Sequence, residues 1–178
     1  MDWIKILENE ICNIGLEIYK LRKIKLEHLN NHIKKINRYN NYGIDINLQI
    51  KDTFYNNELS QDTYLRHLVN SREFDGKYGG VKIGPHKSDI IATINSDYDA
   101  SQLSTGQQKT LVLMLLIAQC DFLVNIKNVT PILLFDEICS HLDSNNRQIL
   151  LDMINQFDIQ LFLTGTDRTL FSFISTNV

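Results

Sequence analysis

Only two prolines and eight glycines occur among the 178 residues, which leaves little room for low-complexity linkers. The three cysteines, Cys12, Cys120 and Cys139, are odd in number, widely spaced and form no Cys-x-x-Cys pair. That pattern argues against a disulfide framework and against a structural zinc site. Cys120 and Cys139 flank apolar runs and read as small core residues. No charged segment followed by a short apolar stretch opens the chain, and no apolar run reaches the roughly 18 residues of a membrane span. A cytoplasmic location away from any membrane is therefore expected. Neither a dense basic run nor an aromatic ladder for stacking bases is present, so the residues themselves point only weakly to nucleic acid.

What the chain does have is the material of a folded core. Hydrophobic residues make up 43% and charged residues 22%, the balance of one globular domain or one domain with an appendage. The net charge of -3 hides an asymmetry. Residues 1–51 carry nine Lys/Arg against six Asp/Glu, which leaves nine against fifteen for residues 52–178. A mildly basic arm on an acidic body permits nucleic-acid contact; an ordinary solvated helix face accounts for the same charges.

The arm has a clear period. Ile4, Leu7, Ile11, Ile14, Ile18 and Leu21 repeat at alternating spacings of three and four, the a/d seam of a heptad helix. The phase then slips. Lys25, His28 and His32 fall where the seam would continue, and the apolar set moves to Leu26, Leu29, Ile33 and Ile36. Gly15 within the first block lowers helix stability by about 1 kcal/mol relative to Ala. Asn37–Gly43 reads as a helix stop, which sets a helical arm over residues 1–42 apart from a second region over 43–178. A single helix with such a seam must pack on the rest of this chain or on another chain. His28 and His32 lie one turn apart with no third ligand nearby, the pattern of a solvent-facing pair rather than a metal site.

Beyond the arm, Ile44, Ile46, Leu48 and Ile50 alternate with polar residues as in a half-buried strand. Ser60 or Asp62 can cap a helix running to about Phe74, with Tyr64, Leu65, Leu68 and Val69 on its inner face. Gly79–Asp89 contains Gly, Lys and Ser and invites comparison with the phosphate loop G-x-x-x-x-G-K-[ST]. Gly79 and Gly84 have the right separation, but Pro85 stands in the Lys position and removes a backbone N–H. The segment is rejected as a phosphate loop; a turn between two strands and a role in positioning a site both remain. Ile90, Ala92 and Ile94 read as another alternating strand.

The densest chemistry lies between Leu103 and Asp167. Ser104, Thr105 and Gly106 open a helix with apolar Leu111, Leu115 and Ala118. A helix N-terminus with a Ser hydroxyl and a Gly that permits close approach suits an anion such as a terminal phosphate. About thirty residues on, Pro131–Phe135 is a short, wholly apolar segment, expected to be a buried central strand of a parallel sheet. It ends in Asp136 and Glu137, where ligands sit in open α/β sheets. Asp136 is suited to hold Mg²⁺ through water, and Glu137 to polarise an attacking water as general base. Ser140-His141-Leu142-Asp143 follows, then a helix from about Asn145 to Phe157. A second buried strand, Ile159–Leu163, ends at Thr164-Gly165-Thr166-Asp167. That polar turn, with Asp167 capping a last helix, is expected beside Asp136 and Glu137.

Taken in order, these segments resemble the C-terminal part of the RecF family, replication and repair ATPases of the ABC/SMC-like class. Leu103–Gln107 is similar to the ABC signature, and Ile132–Glu137 to a Walker B strand with its catalytic acid. Ser140–Asp143 is similar to the D-loop. Thr164–Asp167 is similar to the Thr-rich turn that this family carries where transporters have a switch His. Gly84-Pro85-His86-Lys87-Ser88-Asp89 resembles the family's Gly-Pro-His-Arg-Asp-Asp, departing at Lys87 and Ser88. The resemblance covers nearly the whole chain. It implies an α/β fold: the C-terminal half of an ABC/SMC-like ATPase head, a partly parallel sheet flanked by helices, with an N-terminal coiled-coil-like arm helix. The family's Walker A and Q-loop segments have no counterpart in the sequence. The arm helix resembles the returning strand of the family's helical arm without its outgoing partner.

The same resemblance implies a site shared between two heads, with ATP and Mg²⁺ as cofactors. Ser104 and Gly106 would touch the γ-phosphate of a nucleotide bound to a partner, and Gln107, Asp143 and Thr166 would belong to the same shared, nucleotide-binding site. Asp136 would hold Mg²⁺ through water, and Glu137 would be the catalytic residue. The phosphate loop would come from a Walker A-bearing N-terminal chain or a homodimeric head, so the 178 residues alone would be inactive as an ATPase. The implied function is recombinational repair, including gap repair and the SOS response. It would act on single-stranded or gapped DNA with mediator proteins of the RecO and RecR kind. Two alternatives stay open: a truncated non-catalytic remnant, and a DNA- or protein-binding module without ATPase activity.

Overall fold

In the computed structural model the described residues are 3–40, 45–56, 59–95, 98–137, 142, 147–148, 151–152, 155, 157, 159–172 and 174. The order of elements is helix α1 (Trp3–Asn40), strand β1 (Ile46–Lys51), helix α2 (Gln61–Tyr78), strands β2 (Asp89–Ile94) and β3 (Tyr98–Asp99), helix α3 (Thr105–Asn125), and strands β4 (Ile132–Phe135) and β5 (Gln160–Leu163). Short 3-10 turns stand at Pro85–Lys87, Ala100–Gln102 and Arg168–Phe171. The strands form a three-stranded sheet in the order β1-β2-β3 and a two-stranded sheet of β4 and β5. The result is a mixed α/β fold. Two compact units divide it, Met1–Glu27 with Leu48–Ile91, and His28–Asn47 with Ala92–Val178; α1, β1 and β2 contribute residues to both.

In the first unit, α1 does not bury its apolar seam. Ile4, Leu7, Ile11, Ile14, Ile18 and Leu21 are 36–58% exposed, whereas Glu8, Cys12, Gly15 and Tyr19 are buried. The inward line is thus displaced by one residue, about a quarter of a helical turn. Specific partners explain that choice. Cys12 packs with Tyr64 and Leu68 of α2, and with the partly buried Leu16, Phe54, Leu59 and Ile83. Gly15 leaves the space that the Tyr64 ring needs, since a Cβ there would stand 2.8 Å from Tyr64 Cε1. The Tyr19 hydroxyl donates to Asp52 Oδ2 at 2.6 Å, and its ring stacks on Tyr55 at 4.1 Å. Burial and that carboxylate raise the Tyr19 phenol above its usual range, so it stays a neutral donor. Burial also raises the Cys12 thiol, as expected of an unreactive core cysteine.

Arg72 of α2 grips Glu8 side-on, its Nε donating to Oε1 at 2.5 Å and its Nη2 to Oε2 at 2.6 Å. This hydrogen-bonded pair holds the Glu8 carboxyl below the usual glutamate range. The stabilisation is therefore present above the unfolded-state value of about 4.3 and is lost as pH falls through the lower folded-state value. The Glu8 side chain is 10% exposed and that of Arg72 34%, between a surface pair and a buried one. Glu8→Gln is expected to cost about 2 kcal/mol at pH 7 and less at pH 3. Urea denaturation at the two pH values checks this; an equal cost at both would show that the charge contributes nothing.

Of the two caps the sequence offers for helix α2, Ser60 is the one used. The Ser60 hydroxyl oxygen accepts from the Thr63 N–H at 3.2 Å. Gly79–Ser88 then joins a helix to a strand, not two strands. Its glycine at 84 has φ +123°, and a Cβ there would stand 2.5 Å from the Tyr64 hydroxyl, so that glycine serves packing rather than phosphate. Arg22 of α1 donates to Pro85 O at 2.6 Å and to Ser88 Oγ, which ties the turn to the arm helix.

In the second unit, α3 is buried along Leu111, Leu113, Met114, Ile117, Ala118, Cys120, Asp121 and Phe122. It is the one described helix long and apolar enough to fit a membrane span, with a mean hydropathy of 1.2; its place in this core accounts for that composition. Asp121, 3% exposed, is ringed by donors: His32 Nδ1, Lys35 Nζ at 3.3 Å and Asn125 Nδ2 at 2.5 Å. His28 stacks on Phe122 at 5.2 Å. The solvent-facing pair expected from spacing is thus half right: His28 is exposed with its ring against Phe122, while His32 turns inward. His32 binds the second half of α1 to α3 through an acid 89 residues away that local spacing cannot reveal. Strands β2 and β3 pair antiparallel, Thr93 with Asp99 and Ile94 with Tyr98. Asn95 turns between them at φ +49°, and its N–H donates to Asp45 O at 2.7 Å.

Strands β4 and β5 run parallel in the register Ile132↔Gln160 to Phe135↔Leu163. The expected burial of β4 holds only on one face: Phe135 is buried, while Ile132 is 61% and Leu134 73% exposed. An apolar run shows that a strand tolerates burial on both faces, not that both faces are covered. Among the described residues only β5 pairs with it.

Candidate functional site

The N-terminus of α3 is built by a complete capping box. Ser104 is the N-cap, with φ -60° and ψ 155°. Its Oγ accepts from the Gln107 N–H at 3.4 Å, and Gln107 Oε1 accepts from the Ser104 N–H at 3.1 Å. Gln108 fastens the preceding turn by donating to Leu103 O at 3.1 Å and Ser101 O at 3.2 Å. These locked side chains leave residues 104–107 exposed, with the first N–H groups of the helix turned outward. Gly106 has an ordinary helical backbone, and a Cβ there would meet nothing within 4 Å. Neither conformation nor packing in the described residues calls for glycine at that position, although it costs the helix about 1 kcal/mol relative to Ala.

The second group sits at the C-terminal ends of β4 and β5. Asp136 and Glu137 follow β4 directly, and both are exposed. Pairing of the strands continues one step further, with the Thr164 N–H donating to Phe135 O at 3.0 Å. Thr164 Oγ1 then donates to Asp136 Oδ1 and accepts from the Glu137 N–H at 3.0 Å. Glu137 stands at φ +51°, a left-handed conformation that is costly for a residue with a side chain and recurs at functional sites. The expected neighbourhood of the polar turn and the two acids is thus present, although its contact residue is Thr164. The signal for Thr164 was available: aligning the two parallel strands end to end sets residue 164 opposite residue 136. Thr166 is exposed two residues beyond. Asp167 caps the last 3-10 turn by accepting from the Thr169 N–H at 2.8 Å, a bond that holds its carboxyl below the usual range.

Leu142 is buried, and its carbonyl accepts from Arg147 Nε at 3.0 Å. Ser140, His141 and Asp143 lie outside the described residues. The capped helix start and the acidic groups are carried by separate elements, α3 and the β4–β5 pair. Among the described residues no group of three His, Cys, Asp or Glu forms a metal cage. One carboxylate with an adjacent acid and a hydroxyl is an all-oxygen set. That suits Mg²⁺, which completes its shell with water and phosphate.

No family model matches the chain. Curated relatives do. The chain is 32% identical over 177 residues to the DNA replication and repair protein RecF of Rhizobium johnstonii, covering 96% of this chain and 47% of that protein. It is 43% identical over 106 residues to the RecF of a Caulobacter species, covering 58% of this chain and 27% of that one. A solved structure of the recombination mediator protein RecF-ATP in the RecFOR pathway aligns with a TM-score of 0.76 at 24% identity, over 94% of this chain and 46% of that chain. A second, of RecF-ATPrS in the same pathway, aligns with a TM-score of 0.74 at 25% identity. The chain spans about half the length of the relatives it matches along nearly its whole extent. At that identity and that coverage of its own residues, the chain belongs to the RecF family.

Proposed function

We propose that this chain serves DNA replication and recombinational repair as a RecF-type protein and supplies two of the three parts of an ATP-hydrolysing site. The observation that carries the reading is Gly106. A glycine at an exposed helix start, demanded by neither backbone nor packing, is accounted for by a group that approaches from outside. The N–H groups of Thr105 and Gly106 offer that approach to the terminal phosphate of ATP. Ser104 Oγ donates to Gln107 Oε1 at 3.0 Å, so its proton must turn outward to reach a phosphate oxygen. Gln107 sets that balance as the other half of the box.

On the acidic side, Asp136 is oriented by Thr164 and leaves a carboxylate oxygen for a water of a bound Mg²⁺, which would neutralise charge on the phosphates. Glu137 takes a proton from water as the water oxygen attacks the γ-phosphorus. The bond to the β–γ bridging oxygen breaks, and ADP and phosphate leave. Asp143 and Thr166 belong to the same shared site in this reading. The sequence of 178 residues holds no G-x-x-x-x-G-K-[ST], so the phosphate-cradling loop is supplied from outside them. In the repair reading the nucleotide-bound head works at single-stranded or gapped DNA with RecO- and RecR-type proteins, in keeping with the pathway in which the solved RecF structures are described.

The 178 residues alone are therefore expected to bind ATP no tighter than the millimolar range, since a helix terminus and two carboxylates provide no cradle for the α- and β-phosphates. Titration with a fluorescent ATP analogue and Mg²⁺ checks this. Saturation at micromolar nucleotide would overturn the divided-site reading.

A further inference from the structure

We propose that Thr164 is a positioning residue whose one hydroxyl sets both the Asp136 carboxylate and the backbone of Glu137 at the end of β4. The proposal rests on the reading of those two acids as part of a nucleotide site. Both acids are exposed, so packing does not fix them, and the neighbouring strand supplies the constraint. Its register with β4 ends at Phe135↔Leu163, and the Thr164 N–H extends it by donating to Phe135 O at 3.0 Å. The hydroxyl is thereby placed by the sheet rather than by the exposed turn that follows.

A threonine hydroxyl carries one proton and two lone pairs, and both capacities are in use. The proton goes to Asp136 Oδ1, while a lone pair accepts the Glu137 N–H at 3.0 Å. The first bond, made to a carboxylate, is charge-assisted and orients the carboxylate plane. The second matters because Glu137 stands at φ +51°, a conformation that a residue with a side chain keeps only where its surroundings determine it. In a continuing strand, two consecutive acids would point to opposite faces and could not serve one site. A left-handed residue breaks that alternation. The place from which Glu137 reaches a water, as a general base must, therefore depends on the bond to Thr164. One hydroxyl converts consecutive acids at a strand end into a pair with a fixed relation.

Side-chain chemistry separates this role from simple packing. Valine has the shape of threonine without the hydroxyl, and serine has the hydroxyl without the methyl. The β-branch of threonine restricts χ1, which keeps the hydroxyl aimed across at β4. Thr166, exposed two residues further on, lies beyond the paired register and serves as the control.

Amide exchange measured by NMR on the isotope-labelled chain of 178 residues tests the proposal without nucleotide. Thr164→Val is expected to speed exchange of the Glu137 N–H about tenfold, the loss of one hydrogen bond, and to shift the Asp136 carboxyl carbon resonance. Thr164→Ser and Thr166→Val should each leave that exchange within about twofold of the unmodified chain. Thr164→Ala, a second hydroxyl-free variant, should repeat the valine result and guards against a strand disturbed by valine itself. The same variants are then assayed with a segment supplying the phosphate loop. Thr164→Val is expected to lower kcat for ATP hydrolysis about 10- to 100-fold, with KM within about threefold, and Thr164→Ser to restore it. Unchanged Glu137 exchange in both hydroxyl-free variants would overturn the proposal. So would faster exchange with an unchanged kcat. An unmodified chain that fails to hydrolyse ATP with that segment refutes the nucleotide reading instead, a failure seen before Thr164 is altered.

Discussion

Glu137→Gln is expected to lower ATP hydrolysis by roughly 10²–10⁴-fold when the chain is assayed together with a segment supplying the phosphate loop, while nucleotide affinity stays within about twofold. Exchange of carboxylate for amide keeps the shape of the side chain and removes only its capacity to accept a proton. The backbone N–H of residue 137 still donates to Thr164 Oγ1, a bond that does not depend on the side chain. Asp136 likewise retains its own bond to Thr164. In the proposed reading binding would use Asp136 and the α3 N-terminus and chemistry would use Glu137, and the variant separates the two. Phosphate release and equilibrium nucleotide binding, measured on the same preparation, distinguish the two. A variant that hydrolyses ATP at the parent rate would remove Glu137 from the reaction. One that loses binding and hydrolysis in equal proportion would make its role that of a metal or phosphate ligand instead.

What could be read ahead of the structure follows the range of the forces involved. The capping box of α3 requires only Ser104 and Gln107, three residues apart, and the cap of α2 only Ser60 and Thr63; both are local, and the sequence placed the start of α3 at Ser104 and narrowed the cap of α2 to Ser60 or Asp62. The strands β1, β2, β4 and β5 announced themselves by alternation or apolar content, and the parallel register of β4 and β5 carried Thr164 to Asp136. The inward face of α1 was not legible. The strongest heptad pattern in the chain is the one left exposed, because the buried line was settled by Arg72, Tyr64 and Asp52, which lie 64, 52 and 33 residues from their partners on the helix. Periodicity identifies a helix face that can be covered; tertiary contacts decide which face is. The same holds for His32, whose acid partner sits on α3, and for β4, whose apolar residues gave no sign that only one face would be packed. Gly15 shows the limit most directly. Its helix-weakening effect follows from the residue alone, but its reason, the ring of Tyr64, appears only in three dimensions.

That ring supports the last prediction. Gly84→Ala is expected to destabilise the chain by about 3 kcal/mol, a fall in Tm of roughly 10 °C for a protein of this size. Two effects add. The backbone at 84 has φ +123° and ψ 177°, a region that residues with a Cβ avoid. The new methyl would also stand 2.5 Å from the Tyr64 hydroxyl. Tyr64→Phe deletes that oxygen, so combining it with Gly84→Ala should recover about 1 kcal/mol relative to additivity and leave the backbone strain. At Gly15 the outcome differs. Its backbone is helical, and a gain of about 1 kcal/mol in helix propensity opposes a contact of 2.8 Å with Tyr64 Cε1. Gly15→Ala should therefore cost only about 1 kcal/mol, and Tyr64→Phe, which keeps that ring carbon, should rescue it less. Thermal denaturation of the three single and two double variants separates the two mechanisms. Strict additivity at Gly84 would show that the hydroxyl is not what the glycine accommodates, and that backbone conformation alone demands it.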